Sequence, residues 1–306
     1  MAVLLKEASP ATDATQGSER LPNPASLVPP FDVVTYAGPI TVEGYERLSA
    51  LLEERRTHAS VLVVLETPGG DPHAAFRIAR ALGFHYDRVE ALIPRYCKSA
   101  GTLIVLGAST LHMDDLGELG PLDMQVPRVN EATRQASALE FSETLDLLWT
   151  QQMQCHAESM RQLTDHGLSP VAAALAAADF IEGVFHPIAQ QVDPVHLVAM
   201  SRAMTLAVAY GERLAFKGQN IASAALLQLV YGYPSHSFVI DRKEAQRLFF
   251  DVRAPEDAIA EIARWCRTRA SGWSMAETPD VHLHTFPFSN LELPHAQEDS
   301  RSHRPA

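Results

Sequence analysis

The chain has 306 residues, of which 46% are hydrophobic and 20% are charged, as in an ordinary globular protein with a sizeable core. Its formal net charge of −12 repels phosphate groups, which argues equally against nucleic acid as a partner and against docking on anionic lipid. The three cysteines form no CxxC pair, which indicates a reducing compartment. No signal peptide and no membrane span are predicted, so we expect a cytoplasmic protein.

Strands and helices alternate in the first half of the chain. Apolar or β-branched runs that predict buried strands occupy residues 32–36, 61–65 and 89–93. Thr41 is placed to cap a helix after the first run, and Asp71, followed by Pro72, is placed to cap one after the second. This alternation predicts an α/β fold with crossover units and a mostly parallel sheet covered by helices.

The remaining chain is mainly helical and ends in polar segments. Helices are predicted at about 139–166, from 170, 194–216, 220–230, 242–248 and 255–270. Residues 1–30 are predicted to form a flexible arm and residues 271–306 a tail, partly disordered, whose aromatic part docks on the body. The sequence thus predicts a catalytic domain over residues 31–270, with a helical extension from about residue 139.

The strongest chemical signal is Lys98-Ser99-Ala100-Gly101-Thr102. Ser99 follows a predicted strand and opens the apolar segment 100–108, which is typical of a buried helix. A serine at such a turn can present its hydroxyl at the sheet edge, where the helix N-terminus favours developing negative charge. On this motif alone, the more common role of such a serine is a helix N-cap. Cys97 is a weaker candidate nucleophile because it lacks the small-residue turn.

A second signal, Thr67-Pro68-Gly69-Gly70, ends the preceding strand. Paired glycines let a backbone approach a ligand closely and expose its N–H groups. A tight turn of this kind is common by itself. Together with the serine turn, however, it predicts an oxyanion site formed by Gly69, Gly70 and Ala100, and it favours Ser99 as a nucleophile.

The chain at this point resembles a known family. Leu-Glu-Thr-Pro-Gly-Gly-Asp at 65–71, Ser-Ala-Gly-Thr at 99–102 and Leu-Gly-Pro-Leu-Asp at 119–123 occur in order. Together they resemble the serine dehydrogenase proteinase family, distant relatives of Clp protease and signal peptide peptidase A in the ClpP/crotonase superfamily. Over residues 32–250 the resemblance implies a spiral of ββα units, peptide-bond hydrolysis, no metal and no cofactor.

The resemblance also implies a catalytic triad in the order Ser, Asp, His. Mapped here, Ser99 is the nucleophile and Asp123 the acid. Asp123 lies about where Clp protease carries its histidine, so the base must come from another segment. Asp241 and Asp71 are the alternative acids, although Asp241 is also placed to cap a helix.

His236 is the best candidate base among the thirteen histidines. It lies in the turn-rich segment 231–238, and loops of this kind often carry catalytic groups; the resemblance points to the same histidine. A packing or surface role for His236 is the alternative. Lys98 is a second possible base, but adjacent side chains on an extended segment diverge, which disfavours a Ser–Lys dyad.

These observations predict an ATP-independent serine peptidase that acts on a peptide or protein through an acyl-enzyme on Ser99. The alternatives are a crotonase-type enzyme that stabilises acyl-CoA enolates and an inactive scaffold. A homo-oligomer is expected, because relatives assemble through helices and residues 172–178 offer a flat face of small residues. His282 and His284 alternate along one segment, but no further ligand at suitable spacing supports a metal site.

Overall fold

The computed structural model describes residues 30–122, 125–128, 131–190, 193–273 and 278–286. Its strands are β1 (Phe31–Ala37), β2 (Ser60–Glu66), β3 (Arg88–Ile93), β4 (Tyr96–Cys97), β5 (Thr110–Met113), β6 (Glu118–Leu119), β7 (Gln125–Arg128), β8 (Glu131–Ser137), β9 (Val252–Arg253) and β10 (Asp280–Phe286). Its helices are α1 (Val42–Arg55), α2 (Pro72–His85), α3 (Ala100–Val105), α4 (Ala138–Asp165), α5 (Pro170–Ala189), α6 (Pro194–Gly218), α7 (Ser223–Tyr231), α8 (Arg242–Leu248) and α9 (Asp257–Trp273). The predicted arm, apart from Pro30, and the tail beyond residue 286 lie outside the described residues.

The main sheet has six strands in the order β10-β1-β2-β3-β5-β9. All neighbours are parallel except β10, which pairs antiparallel with β1 from Phe31↔Phe286 to Ala37↔Asp280. The predicted α/β class with a mostly parallel sheet is therefore confirmed. Strand β10 comes from the segment assigned to the tail, and it occupies the edge that β1 would otherwise expose.

Helices cover both faces of the sheet. Alternate residues of β1, β2 and β3 pack on one face against α1, α2, α3 and α6, in a large core that includes Leu48, Ile78, Leu103 and Met204. The other residues pack against α9, in a smaller core formed by Phe31, Val33, Leu62, Val64, Leu92, Ile259, Ile262, Ala263 and Cys266. Each large aliphatic side chain buried here contributes about 1.5–3 kcal/mol.

The predicted helix caps are present. The Gly44 N–H donates to Oγ1 of Thr41 at 3.0 Å, and the His73 N–H donates to Oδ1 of Asp71 at 2.8 Å. Asp241 likewise accepts from the backbone N–H of the third residue after it, at 2.8 Å. These caps fix where α1, α2 and α8 begin, and α1 and α2 begin just past the carboxyl ends of β1 and β2.

A second, smaller layer continues beyond the carboxyl ends of the main strands. It is built from the two-stranded pair β4–β6 and from single bridges between loops. Across this layer, Ile40 pairs with Gly70 in the glycine loop, and Thr67 of the same loop pairs with Cys97. Cys97 in turn pairs with Leu119, and Leu119 pairs with Ile240. The layer therefore brings the three sequence motifs and the segment after His236 side by side.

Helices α4 and α5 form a hairpin whose two helices pack against each other, and α4 also contacts α6. Helix α5 is long and apolar enough to cross a membrane, with a mean hydropathy of 1.4 over its most apolar window, of which 17% is buried. Length and composition alone do not establish a membrane span. The absence of a membrane span stays a prediction.

Candidate active site

Ser99 lies at the turn between β4 and α3 in a rare backbone conformation. Its φ of 50° and ψ of −116° fall outside the helical, extended and left-handed helical regions. Such a conformation costs on the order of 1–3 kcal/mol and is typical of a nucleophile carried on a sharp strand-to-helix turn. The Ser99 side chain makes no capping hydrogen bond to α3. Capping therefore does not explain this serine.

The glycine loop packs directly on the serine turn. A Cβ atom on Gly69 would lie 2.9 Å from Cβ of Ser99 and 3.1 Å from the carbonyl oxygen of Lys98. A Cβ atom on Gly70 would lie 2.2 Å from the carbonyl oxygen of Ile40. Both glycines also have positive φ, +107° and +145°. Two motifs 30 positions apart thus meet at a contact that only glycine allows.

Two of the three predicted oxyanion donors have an N–H group available. The N–H of Gly69 donates to Oγ1 of Thr67 at 3.0 Å and is therefore occupied. Ile40 donates to the carbonyl oxygen of Gly69 and accepts from the N–H of Asp71, the residues on either side of Gly70. The N–H of Gly70 therefore points away from Ile40. Within the described ranges, the N–H groups of Gly70 and Ala100 make no hydrogen bond. They are the donors that could hold a developing oxyanion.

Thr102 links the serine helix to the third motif, a role that the sequence did not reveal. Its side chain is fully buried, and its Oγ1 lies 2.8 Å from the carbonyl oxygen of Gly120 and 3.1 Å from that of Cys97. Oγ1 also accepts from the N–H of Gly120 at 3.3 Å. A threonine inside an otherwise apolar helix was the available signal, because a buried hydroxyl needs partners.

Cys97 and Lys98 are both engaged in packing or pairing. The Cys97 thiol is fully buried, and burial raises its pKa, so the nucleophilic thiolate is disfavoured. The Nζ atom of Lys98 lies 3.2 Å from a carboxylate oxygen of Glu118 and 3.2 Å from the carbonyl oxygen of Leu119. This geometry ties Lys98 to β6 and favours a base other than Lys98.

His236 is half-buried in the loop that follows α7. Four residues later, Ile240 exchanges backbone hydrogen bonds of 2.9 and 3.1 Å with Leu119, the neighbour of Cys97 in the second layer. The loop is also held by Tyr233, whose hydroxyl donates to Glu244 at 3.0 Å. The fold therefore brings the His236 loop to the edge that carries Ser99.

The predicted acid, Asp123, lies outside the described residues. The described part of the third motif ends at Leu122, whose N–H donates to the carbonyl oxygen of Leu229 at 2.8 Å. Asp71 and Asp241, the alternative acids, both accept helix-capping hydrogen bonds. The triad of Ser99, Asp123 and His236 stays a prediction.

Glu66 is a buried carboxyl group beneath the glycine loop that the sequence analysis did not single out. It is fully buried, and neither of its carboxyl oxygens has a hydrogen-bond partner among the described residues. Nη1 of Arg95 lies 3.7 Å from Oε1. Burial raises the pKa of Glu66 to about 7, an effect that the charge of Arg95 partly offsets. An acidic residue at the end of an apolar run was its signal.

The raised pKa of Glu66 predicts a pH-dependent stability. The ordinary carboxyl pKa is 4.5 and the folded value is about 7, so folding takes up a proton between these pH values. Ionisation of Glu66 should therefore make the free energy of unfolding of the wild type fall as pH rises from about 4.5 to about 7, with no further fall from this group above that range. In Glu66→Gln this fall should be smaller by on the order of 1–3 kcal/mol, measured by denaturant unfolding at several pH values.

The exposed Glu54→Gln is the matched control for this measurement. Its free energy of unfolding should follow the wild-type pH profile. Identical pH profiles for Glu66→Gln and the wild type would contradict a raised pKa at Glu66.

Comparisons with known proteins agree with the three motifs. Residues 34–144 match the family of ClpP-like SDH-type serine proteinases. Two uncharacterized proteins of Methanocaldococcus jannaschii are similar: MJ0137, 34% identical over 32% of this chain, and MJ1495, 33% identical over 28%. The chain spans about a third of the length of these relatives, 36% and 30% respectively.

Solved structures of proteases also resemble the chain. A substrate-peptide complex of the 1510-N membrane-bound stomatin-specific protease is 14% identical, with a TM-score of 0.45, and the match covers 75% of this chain and 77% of that one. ClpP1 from Listeria monocytogenes is 12% identical, with a TM-score of 0.34, over 74% of this chain and 94% of its own. The resemblance predicted from the three motifs is confirmed for residues 34–144, which contain all three motifs and match the family model of the ClpP-like SDH-type serine proteinases.

Proposed function

We propose that the protein is an ATP-independent serine peptidase. Oγ of Ser99 attacks the carbonyl carbon of a peptide bond while its proton passes to His236. The N–H groups of Gly70 and Ala100 hold the oxyanion, and the amine leaves with the proton as the carbon–nitrogen bond breaks. Water, deprotonated by His236, then hydrolyses the ester on Ser99. Asp123 orients the imidazole in this proposal.

The observation that carries the proposal is the strained turn at Ser99 in contact with Gly69. A backbone that holds a non-glycine residue at φ 50° and ψ −116° needs support from its surroundings. The supporting glycine loop packs on this turn, and the N–H groups of Gly70 and Ala100 make no hydrogen bond within the described part of the chain, so both are available for the oxyanion that acyl transfer forms. A scaffold without catalysis gives no reason for the strain.

A fluorophosphonate probe tests both the nucleophile and the base. The wild-type protein should be labelled on Ser99, located by mass spectrometry of the digested adduct. His236→Asn should slow labelling roughly 10²–10⁴-fold, because the hydroxyl loses its proton acceptor. The exposed His166→Asn is the matched control and should label at the wild-type rate. Labelling at another residue would overturn the assignment of Ser99, and an unchanged rate in His236→Asn would overturn the base.

We also propose that the protein is a homo-oligomer. Helices α4 and α5 line an open groove of ≈ 450 Å³, and its lining residues include Met153, Ile181 and Phe185. Near this groove, α5 carries Leu175 and Phe180, which are 65% and 62% exposed to solvent. Apolar exposure of this extent is unusual on a monomer.

Light scattering should give a multiple of the 33.5 kDa chain mass at micromolar concentration. Leu175→Ser with Phe180→Ser should shift the mass toward one chain. Phe250→Ser, which changes an exposed phenylalanine outside the α4–α5 hairpin, should not. A wild-type mass of one chain would contradict the proposal.

A cytoplasmic location is likewise proposed. All three cysteines, Cys97, Cys155 and Cys266, are free thiols. Free thiols are usual in a reducing compartment, which supports this location.

A further inference from the structure

One surface of this acidic protein carries basic and aromatic side chains. The exposed residues of α2 within Pro72–Phe84 follow a single stripe: His73, Arg77, Arg80 and Phe84. Their spacing of three to four residues places them on one side of the helix. Helix α2 contains no acidic residue.

Helix α6 extends this stripe, because it runs parallel to α2. Phe76 stacks on Tyr210 with ring centroids 4.1 Å apart, and a Cβ on Gly83 would lie 3.3 Å from Cε of Lys217. Phe84 follows Gly83, and Phe216 precedes Lys217. With about 100° of rotation per residue, both rings point to the same side of the helix pair, and each is 83% exposed.

The cations on this face have no acidic partner within ion-pair distance in the part of the chain that the structure describes. None of its four cations forms an ion pair with any residue that the structure describes; they are Arg77, Arg80, Arg213 and Lys217. Glu212 is the single acidic residue of α6. Arg213 instead lies over the ring of Phe76, 4.5 Å from its centroid. In a chain of net charge −12, these unpaired cations indicate a surface for an anionic partner.

The basic-aromatic face, defined by Arg77, Arg80, Phe84, Arg213 and Phe216, leads away from the candidate active site. It starts beside His73, in the first turn of α2, three positions after Gly70. From there to Phe84 the helix advances about 17 Å, the length of five to six residues of extended chain. A face that begins beside the glycine loop suits a polypeptide that lies along the face at one end and enters the candidate active site at the other.

We propose that the basic-aromatic face binds an acidic segment of a polypeptide substrate. The guanidinium groups attract its carboxylates, and Phe84 and Phe216 pack against an apolar side chain between them. The far end of this segment, at Phe84, lies about 17 Å along α2 from His73. This assignment rests on the proposed peptidase function and adds the substrate class to it.

Binding of a labelled peptide to the full-length Ser99→Ala protein tests the face without turnover. The probe is a fluorescein-labelled peptide of Glu, Phe and Gly, and the same peptide with Lys for Glu is its control. Arg77→Gln with Arg80→Gln and Arg213→Gln should weaken binding roughly tenfold, and added salt should weaken it further. A matched triple variant removes equal charge from three arginines that are ion-paired elsewhere, Arg47, Arg161 and Arg247, and should bind as the parent does.

Equal weakening in both triple variants, or equal binding of the Lys peptide, would overturn the proposal. Binding of phosphatidylserine vesicles through the same arginines, without peptide binding, would assign the face to a lipid surface instead. The peptidase proposal fails separately, by the absence of probe labelling on wild-type Ser99, and peptide binding to the face is read independently of that result. With active protein, the face variant should raise KM for acidic substrates and leave kcat unchanged.

Discussion

Ser99→Ala should abolish hydrolysis of every peptide or ester that the wild-type protein cleaves. The expected fall in kcat is roughly 10³–10⁶-fold, since the acyl-enzyme has no other nucleophile to form on. Cys97 cannot replace the serine, because its thiol is fully buried. Turnover and melting temperature should be measured on one sample, so that loss of activity is separated from loss of folded protein.

Ser109→Ala is the control for this change. Ser109 also lies near a helix end and donates to the carbonyl oxygen of Val89 at 3.0 Å, but it belongs to the opposite end of α3. Its loss should leave kcat near the wild-type value. Wild-type turnover in a folded Ser99→Ala protein would refute the nucleophile assignment.

Gly69→Ala should have the second largest effect on activity. The added Cβ would lie 2.9 Å from Cβ of Ser99, so either the glycine loop or the serine turn must move. Displacing the nucleophile from the oxyanion donors should lower kcat/KM roughly 10²–10³-fold. Strain at φ +107° should also lower the free energy of unfolding by on the order of 1–3 kcal/mol.

Gly167→Ala separates these two effects. Gly167 has a similar φ of +95°, but nothing lies within 4 Å of a Cβ placed on it. Its substitution should therefore cost stability through backbone strain and leave kcat/KM unchanged. If Gly69→Ala and Gly167→Ala lower activity equally, the contact between Gly69 and Ser99 has no catalytic role.

Much of the fold could be predicted because its signals are local. Thr41 and Asp71 cap their helices through residues two or three positions away, and the apolar run at 61–65 forms the centre of β2. Strand β10 was not predicted as a strand. It comes after the last helix, and it pairs with β1, which lies at the other end of the chain. Nothing in residues 280–286 alone identifies that partner.

The same distinction applies to the candidate site: features within one segment could be predicted, and contacts between segments could not. Ser99 and Gly70 could be found because a turn residue and a glycine pair are visible in the sequence. The occupied N–H of Gly69, the links made by Thr102 and the buried carboxyl of Glu66 depend on contacts between segments. Periodicity and turn chemistry carry no information about such contacts. The sequence therefore identifies the candidate nucleophile more readily than the residues that pack around it.

The order of segments in the second layer has a consequence for biosynthesis. Ser99 and both glycines emerge from the ribosome early, but Ile240, which closes the layer beside Leu119, follows more than a hundred residues later. A nascent chain thus carries Ser99, the proposed nucleophile, before the segment that includes His236, the proposed base. The activity of the proposed peptidase should therefore begin only after the segment up to Ile240 has left the ribosome, which protects nascent copies from one another.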